Sequence, residues 1–123
     1  MESFSSELLR GSLDLMILTI LRDEPQYGYV IQQNLKRVTG DRINILAGTL
    51  YPILHRLESK KLVKAKWDSS TGRRRKWYQL TKAGQRRLTQ QAHDWNEYAQ
   101  CLRTILAPVL EANPISGAKT KPA

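Results

Sequence analysis

The chain has 123 residues, of which 41% are hydrophobic and 25% charged, and a formal net charge of +9. That size and balance fit one ordinary globular domain with a modest core and leave no room for a second. No apolar run approaches the roughly 18 to 20 residues needed to span a bilayer, the start lacks a signal-peptide pattern, and the lone Cys101 can form neither an internal disulfide nor a Cys-rich metal site, so a cytoplasmic protein is expected.

Residues 1–8 are polar and serine-rich and read as a flexible arm that Phe4, Leu8 and Leu9 are available to dock. Leu13, Met16, Ile17, Ile20 and Leu21 recur at helical spacing, with Ser12 a suitable N-cap, and predict a first helix that ends before Pro25. A second helix is expected from about Tyr27 to Thr39, with Tyr27, Val30, Ile31, Leu35 and Val38 on its inner face and Gly40 as the stop. Arg42 to Leu46 is a short β-prone piece. A third helix then opens at Ala47-Gly48-Thr49, capped by Thr49, with Pro52 in its first turn and Leu50, Ile53, Leu54 and Leu57 as its buried stripe.

After Lys61 the period changes to two: Val63, Ala65 and Trp67 fall on one side and Lys64 and Lys66 on the other, a turn follows at 68–72, and Trp77 to Leu80 returns. This predicts a β-hairpin with a cationic returning limb. Thr81 can cap a fourth helix, in which Leu88, Ala92, Trp95, Ala99, Leu102 and Leu106 are spaced alternately four and three apart, the seam of a helix that packs along a partner. Pro108 should end or kink it near Ala107. The 26 residues from Lys82 to Ala107 would extend about 39 Å, more than a small three-helix core needs, so part of this helix is expected to meet another chain. Residues 112–123 read as a disordered tail. The expected organisation is therefore an arm over 1–8, a compact unit over 9–81, a helix over 82–111 and the tail.

The charge is concentrated. Between Arg56 and Arg87 lie twelve of the twenty Lys and Arg residues and only two of the eleven acids, so this segment carries +10 and the rest of the chain −1. A patch of that kind repels itself, and a polyanion such as nucleic acid relieves the repulsion through counterion release. Three helices and a hairpin in this order make a winged helix, mainly α with a small β-hairpin, in which the third helix enters a groove of duplex DNA. Opposite its apolar stripe the third helix bears Thr49, Tyr51, Pro52, His55, Arg56 and Ser59, a mixture that suits base edges and phosphates. Arg73, Arg74, Arg75 and Lys76 crowd the hairpin tip too closely for all to be paired internally, and Lys64 adds a further cation on the wing.

Gly48-Thr49-Leu50-Tyr51-Pro52-Ile53-Leu54-His55-Arg56-Leu57-Glu58, then Leu62-Val63, Trp67, Gly72-Arg73-Arg74-Arg75-Lys76-Trp77-Tyr78 and Leu80-Thr81-Lys82-Ala83-Gly84, together resemble the PadR family of bacterial transcriptional regulators. Tyr27-Gly28-Tyr29 fits the same pattern, and the match extends over roughly residues 9–107. The resemblance implies a dimeric winged-helix repressor with double-stranded operator DNA as its partner, the Thr49 to Arg56 face in the major groove, and the Arg73 to Lys76 wing on the flanking backbone or minor groove. Many relatives carry proline just after the wing glycine; Arg73 stands there instead and makes the tip more cationic. The chain resembles the short subgroup, whose last helix mainly builds the dimer and becomes its dimerisation helix. Two roles compete for Trp95: an anchor of the dimer core, which carries more weight, and a wall for a small flat aromatic effector held at the dimer interface.

His55 and His93 sit on different predicted helices with no nucleophile, carboxylate set or metal-ligand spacing around either, so neither catalysis nor a metal or other cofactor is expected. The rival from another class is a winged helix that binds RNA or another protein, for which the same basic wing would serve.

Overall fold

The computed structural model describes residues 4, 5 and 9–115. Its elements are α1 (Leu13–Ile20), β1 (Gln26–Tyr27), α2 (Gly28–Val38), α3 (Ala47–Ser59), β2 (Val63–Asp68), β3 (Arg75–Leu80) and α4 (Lys82–Ala112). The chain divides into two compact units, one ending at Gln91 and one beginning at Ala92.

The core of the first unit is what the helical spacing dictates. Ile17 and Leu18 of α1, Ile31 and Leu35 of α2, and Leu50, Ile53, Leu54 and Leu57 of α3 are buried together with Val63, Tyr78 and Leu88. A fully buried Leu or Ile contributes about 1.5 to 3 kcal/mol, so these stripes fix how the three helices meet. Two polar side chains brace the helices from inside. Gln26 donates from Nε2 to the Ile20 carbonyl at 2.7 Å while its Oε1 accepts from Asn34 at 2.9 Å, which ties the end of α1 to α2. Gln32 donates to the Ile45 carbonyl at 2.7 Å and holds the segment that leads into α3.

Several local expectations are corrected. Ser12 occupies the N-cap position of α1, but its hydroxyl donates back to the Leu9 carbonyl rather than capping the helix. Helix α3 begins at Ala47 with Leu46 as its N-cap residue, so Thr49 lies inside the first turn and caps nothing. Pro52 is therefore the sixth helical residue, and its missing N–H would have served the Gly48 carbonyl, an exposed position where water can take over. Residues 42–46 join no strand; Ile43 and Ile45 are buried with exposed neighbours, so the alternation reflects burial and not a ladder. The third strand is β1, two residues long and too short for any periodicity to show.

The sheet order is β1-β3-β2, antiparallel throughout. In the β2–β3 register Val63 opposes Leu80, Ala65 opposes Tyr78 and Trp67 opposes Lys76 on one face, while Lys64 opposes Gln79, Lys66 opposes Trp77 and Asp68 opposes Arg75 on the other. Gly72 turns the loop at φ +84°, a conformation that favours glycine. Three helices followed by this hairpin form a winged helix.

Thr81 does cap α4: its Oγ1 accepts from the Gly84 N–H at 2.9 Å and donates to the Lys61 and Leu62 carbonyls. A Cβ on Gly84 would collide with the Leu62 carbonyl oxygen and lie 2.7 Å from Leu80 Cδ1. Because one of those neighbours is backbone and cannot swing aside, Gly84→Ala should destabilise the first unit by about 3 kcal/mol or more, measured as the shift in the urea unfolding midpoint. A midpoint equal to wild type would show that the close approach is dispensable.

Pro108 does not stop α4, which continues to Ala112. The bond it forfeits is the one to Thr104, in an exposed stretch where solvent can satisfy the carbonyl. Of the expected arm, Phe4 is docked: its N–H donates to the Arg42 carbonyl at 3.0 Å and the Arg42 guanidinium lies 4.0 Å over its ring. Residues 1–3 and 6–8 of the arm and 116–123 of the tail lie outside the described residues.

Candidate nucleic-acid interface

The outer face of α3 is exposed among the described residues. Thr49, Pro52, His55, Arg56 and Ser59 are exposed, and Tyr51 is 42% exposed, while the opposite face is closed into the core. Tyr51 lies against Gly28 at the start of α2, where any Cβ would overlap its ring. The absent side chain at position 28 is therefore what lets the Tyr51 ring settle between α3 and α2.

The wing answers from the other side. Tyr27, Tyr29, Tyr51, Trp67 and Tyr78 share with Arg73, Arg74, Arg75 and Lys76 the lining of one open concavity of about 720 Å³. The Arg74 guanidinium sits 4.5 Å over the Trp67 ring, and Arg75 sits 4.9 Å over Tyr27. Such stacking holds the planar groups in place without neutralising them. Among the described residues, no acid lies within ion-pair distance of Arg73, Arg74 or Arg75.

Two other cations differ from the sequence expectation. Lys76 pairs with Glu58 at 3.2 Å, so the tip is paired internally at that one position. Arg56 pairs with Asp14 of α1 at 2.7 Å. Both pairs are partly exposed, of a type worth about 0 to 1 kcal/mol, weak enough for a phosphate to displace the acid. Lys64 is exposed but belongs to the sheet face that carries Lys66 and Trp77, opposite the face of Trp67, Lys76 and Tyr78. It is not brought together with the α3 residues.

Sequence reasoning missed Asp68. Its Oδ2 accepts from the Tyr27 hydroxyl at 2.7 Å and from the Trp77 indole N–H at 2.9 Å, and its Oδ1 accepts from the Ser70 N–H at 2.9 Å. The Trp77 indole foremost, then the Ser70 amide and the Tyr27 hydroxyl, hold the Asp68 carboxyl well below the usual carboxylate range, and the same hydrogen bond raises the Tyr27 phenol. Burial, with Tyr51 and Glu58 nearby, pushes the Tyr78 phenol up to about 12. The available signal was that Asp68 is one of only two acids in the basic segment, placed where a hairpin turns between tryptophans.

In the second unit Trp95 and Ala99 are partly buried, and Trp95 meets Tyr98 edge to face with ring centroids 5.4 Å apart. Ala92, Leu102 and Leu106 are exposed, as are Tyr98, Ile105, Val109 and Leu110. Leu88 differs from the rest of the expected seam: it is closed into the core of the first unit. Cys101 is exposed. Among the described residues no cluster of His, Cys, Asp and Glu could hold a metal ion, and no helix is long and apolar enough to cross a membrane.

A winged helix with an uncovered third helix and a wing of unneutralised arginines is the architecture of a DNA-binding transcriptional regulator. Comparison with known proteins makes the assignment specific: residues 17–90 match the PadR-like family of transcriptional regulators, and the chain belongs to that family. It is 36% identical over 94 residues to a transcriptional regulator of Mycobacterium tuberculosis, covering 76% of this chain and 85% of that one. Among solved structures, a PadR family transcriptional regulator from Eggerthella lenta superposes with a TM-score of 0.73 at 36% identity, covering 81% of this chain and 86% of the other. A transcriptional regulator from Clostridium thermocellum gives 0.75 at 29% identity, with coverage of 80% and 97%. Members of the family regulate transcription and are not enzymes.

Proposed function

We propose that this protein is a homodimeric repressor that reads its operator with the Thr49 to Arg56 face of α3 in the major groove and grips the flanking backbone or minor groove with Arg73, Arg74 and Arg75. The observation that carries the reading is that Tyr51 of α3 and the whole cationic run of the wing open onto one concavity. A duplex lowered onto that side meets base-reading and phosphate-binding groups at once. Lys64 supports this less directly, as a cation for a second strand or as a solvated edge residue.

Dimerisation is supported by the apolar side chains that α4 leaves uncovered and by the arithmetic of recognition. One winged helix reads too few base pairs to select a site, whereas two related by a two-fold axis read half-sites about one helical turn apart. Trp95 would anchor that dimer; a small flat aromatic effector held beside it remains the secondary role. A dimer laid over a promoter excludes polymerase without needing any further surface, which favours repression.

Affinity for DNA upstream of its own or neighbouring genes should exceed that for random duplex by about 10³ or more at physiological salt, measured by fluorescence anisotropy. Tyr51→Ala and Arg56→Ala should each lower that ratio by about 1 to 3 kcal/mol. A fall in total affinity at constant ratio would make them phosphate contacts. Run-off transcription from the bound promoter should decrease as protein is added, and an increase would make the protein an activator.

A further inference from the structure

A two-stranded hairpin is marginal by itself, and among the described residues the wing's only other ladder is the two-pair contact between β1 and β3. What aims its tip is a separate question from what zips its strands. We infer that Asp68 is the positioning residue of the wing, fastening the tip end of the hairpin to the start of α2 so that the arginines face the same side as helix α3. This rests on the DNA-binding reading above and adds a residue that makes no DNA contact of its own.

The geometry is a buckle. Asp68 and Arg75 form the last rung of the β2–β3 ladder before the turn. At that rung the carboxylate collects donors from three separate places: Tyr27 at the β1–α2 junction, Trp77 on the return strand and Ser70 in the turn. Tyr27 and Trp77 also stack, with centroids 4.4 Å apart, and Arg75 lies over the Tyr27 ring. Tyr27 is followed by Gly28, against which Tyr51 of α3 rests. Direct contacts thus run from the wing tip through Asp68, Tyr27 and Gly28 to the recognition helix.

The charge sign makes the inference testable. Asp68 places a negative charge directly across the ladder from Arg75, beside the cations proposed to meet phosphates, so electrostatics alone says that its removal should tighten DNA binding. A positioning role says the reverse. Asp68→Ala should weaken binding to operator and random duplex about five-fold, the equivalent of one phosphate contact at 0.15 M salt, despite the gain in net positive charge. Tyr27→Phe, which keeps the ring stack and deletes one hydroxyl, should weaken both about two-fold and serves if Asp68→Ala fails to fold.

Amide exchange measured without DNA should rise across residues 69–76 in both variants while the α1 to α3 amides stay protected. Unchanged or tighter binding by a folded Asp68→Ala protein, or unchanged exchange in Tyr27→Phe, would overturn the inference. Wild-type protein that bound no duplex would sink the function proposed above, yet the exchange measurement would still decide the buckle.

Discussion

Changing Arg73, Arg74 and Arg75 together to alanine is expected to lower affinity for every duplex, operator or random, about a hundredfold at 0.15 M salt. Each phosphate contact contributes a slope of about 0.9 in log K against log salt, equivalent to about five-fold at that concentration, so three contacts give about two orders of magnitude. The structure supports counting all three, because none is neutralised by an acid among the described residues and two lie over aromatic rings, at 4.5 and 4.9 Å. The slope, measured between about 50 and 200 mM salt, should fall by nearly three units. Lys76 provides an internal comparison. Its ammonium already faces Glu58 at 3.2 Å, so Lys76→Ala should change the slope by less than any one arginine. If the triple variant kept the wild-type slope, the wing would not touch phosphate.

The wing shows where sequence reading reaches and where it stops. The hairpin itself was legible because Val63, Ala65 and Trp67 alternate with lysines and Gly72 marks a turn, and the observed register follows that alternation. Most of the inner stripes were legible for the same reason, since a 3.6-residue period leaves its mark whenever one face is buried, but Val38, expected on the inner face of α2, is 58% exposed at the helix end, and Leu18, left out of the α1 stripe, is fully buried. The start of α3 was not, because Leu46 at its N-cap carries no hydrogen-bonding side chain and the polar Thr49 three residues on offers a better-looking signal. Pairings across elements left no local trace. Arg56 finds Asp14 across 42 positions and Tyr27 finds Asp68 across 41, distances at which no periodicity operates. Leu88 fits a heptad seam perfectly well in sequence, yet its position about two turns after the Thr81 cap, one turn beyond the close approach of Gly84 to Leu62, draws it into the core of the first unit. Spacing identified which face of α4 is apolar but could not say which part of that face the chain covers for itself.

That division between Leu88 and the residues after it separates folding from assembly. Leu88→Ala should cost the first unit about 2 to 5 kcal/mol, as for other buried leucines, and leave the mass of the surviving folded protein unchanged. Leu102→Glu combined with Leu106→Glu should do the opposite. Both side chains are 39% exposed in the single chain and belong to the second unit, outside the core cluster of the first. A dimer seam closing over two carboxylates would have to bury uncompensated charge at several kcal/mol each, raising the dimer dissociation constant by about 10³ or more. Light scattering at micromolar concentration should then give the mass of one chain. Operator affinity should fall by about 10² to 10⁴, because two half-sites are no longer held together, while the salt slope per bound chain stays that of an intact wing. A double variant that scattered as a dimer and bound its operator normally would remove the seam from Ala92 through Trp95 and Ala99 to Leu106 as the dimer interface, and with it the reading of Trp95 as its anchor.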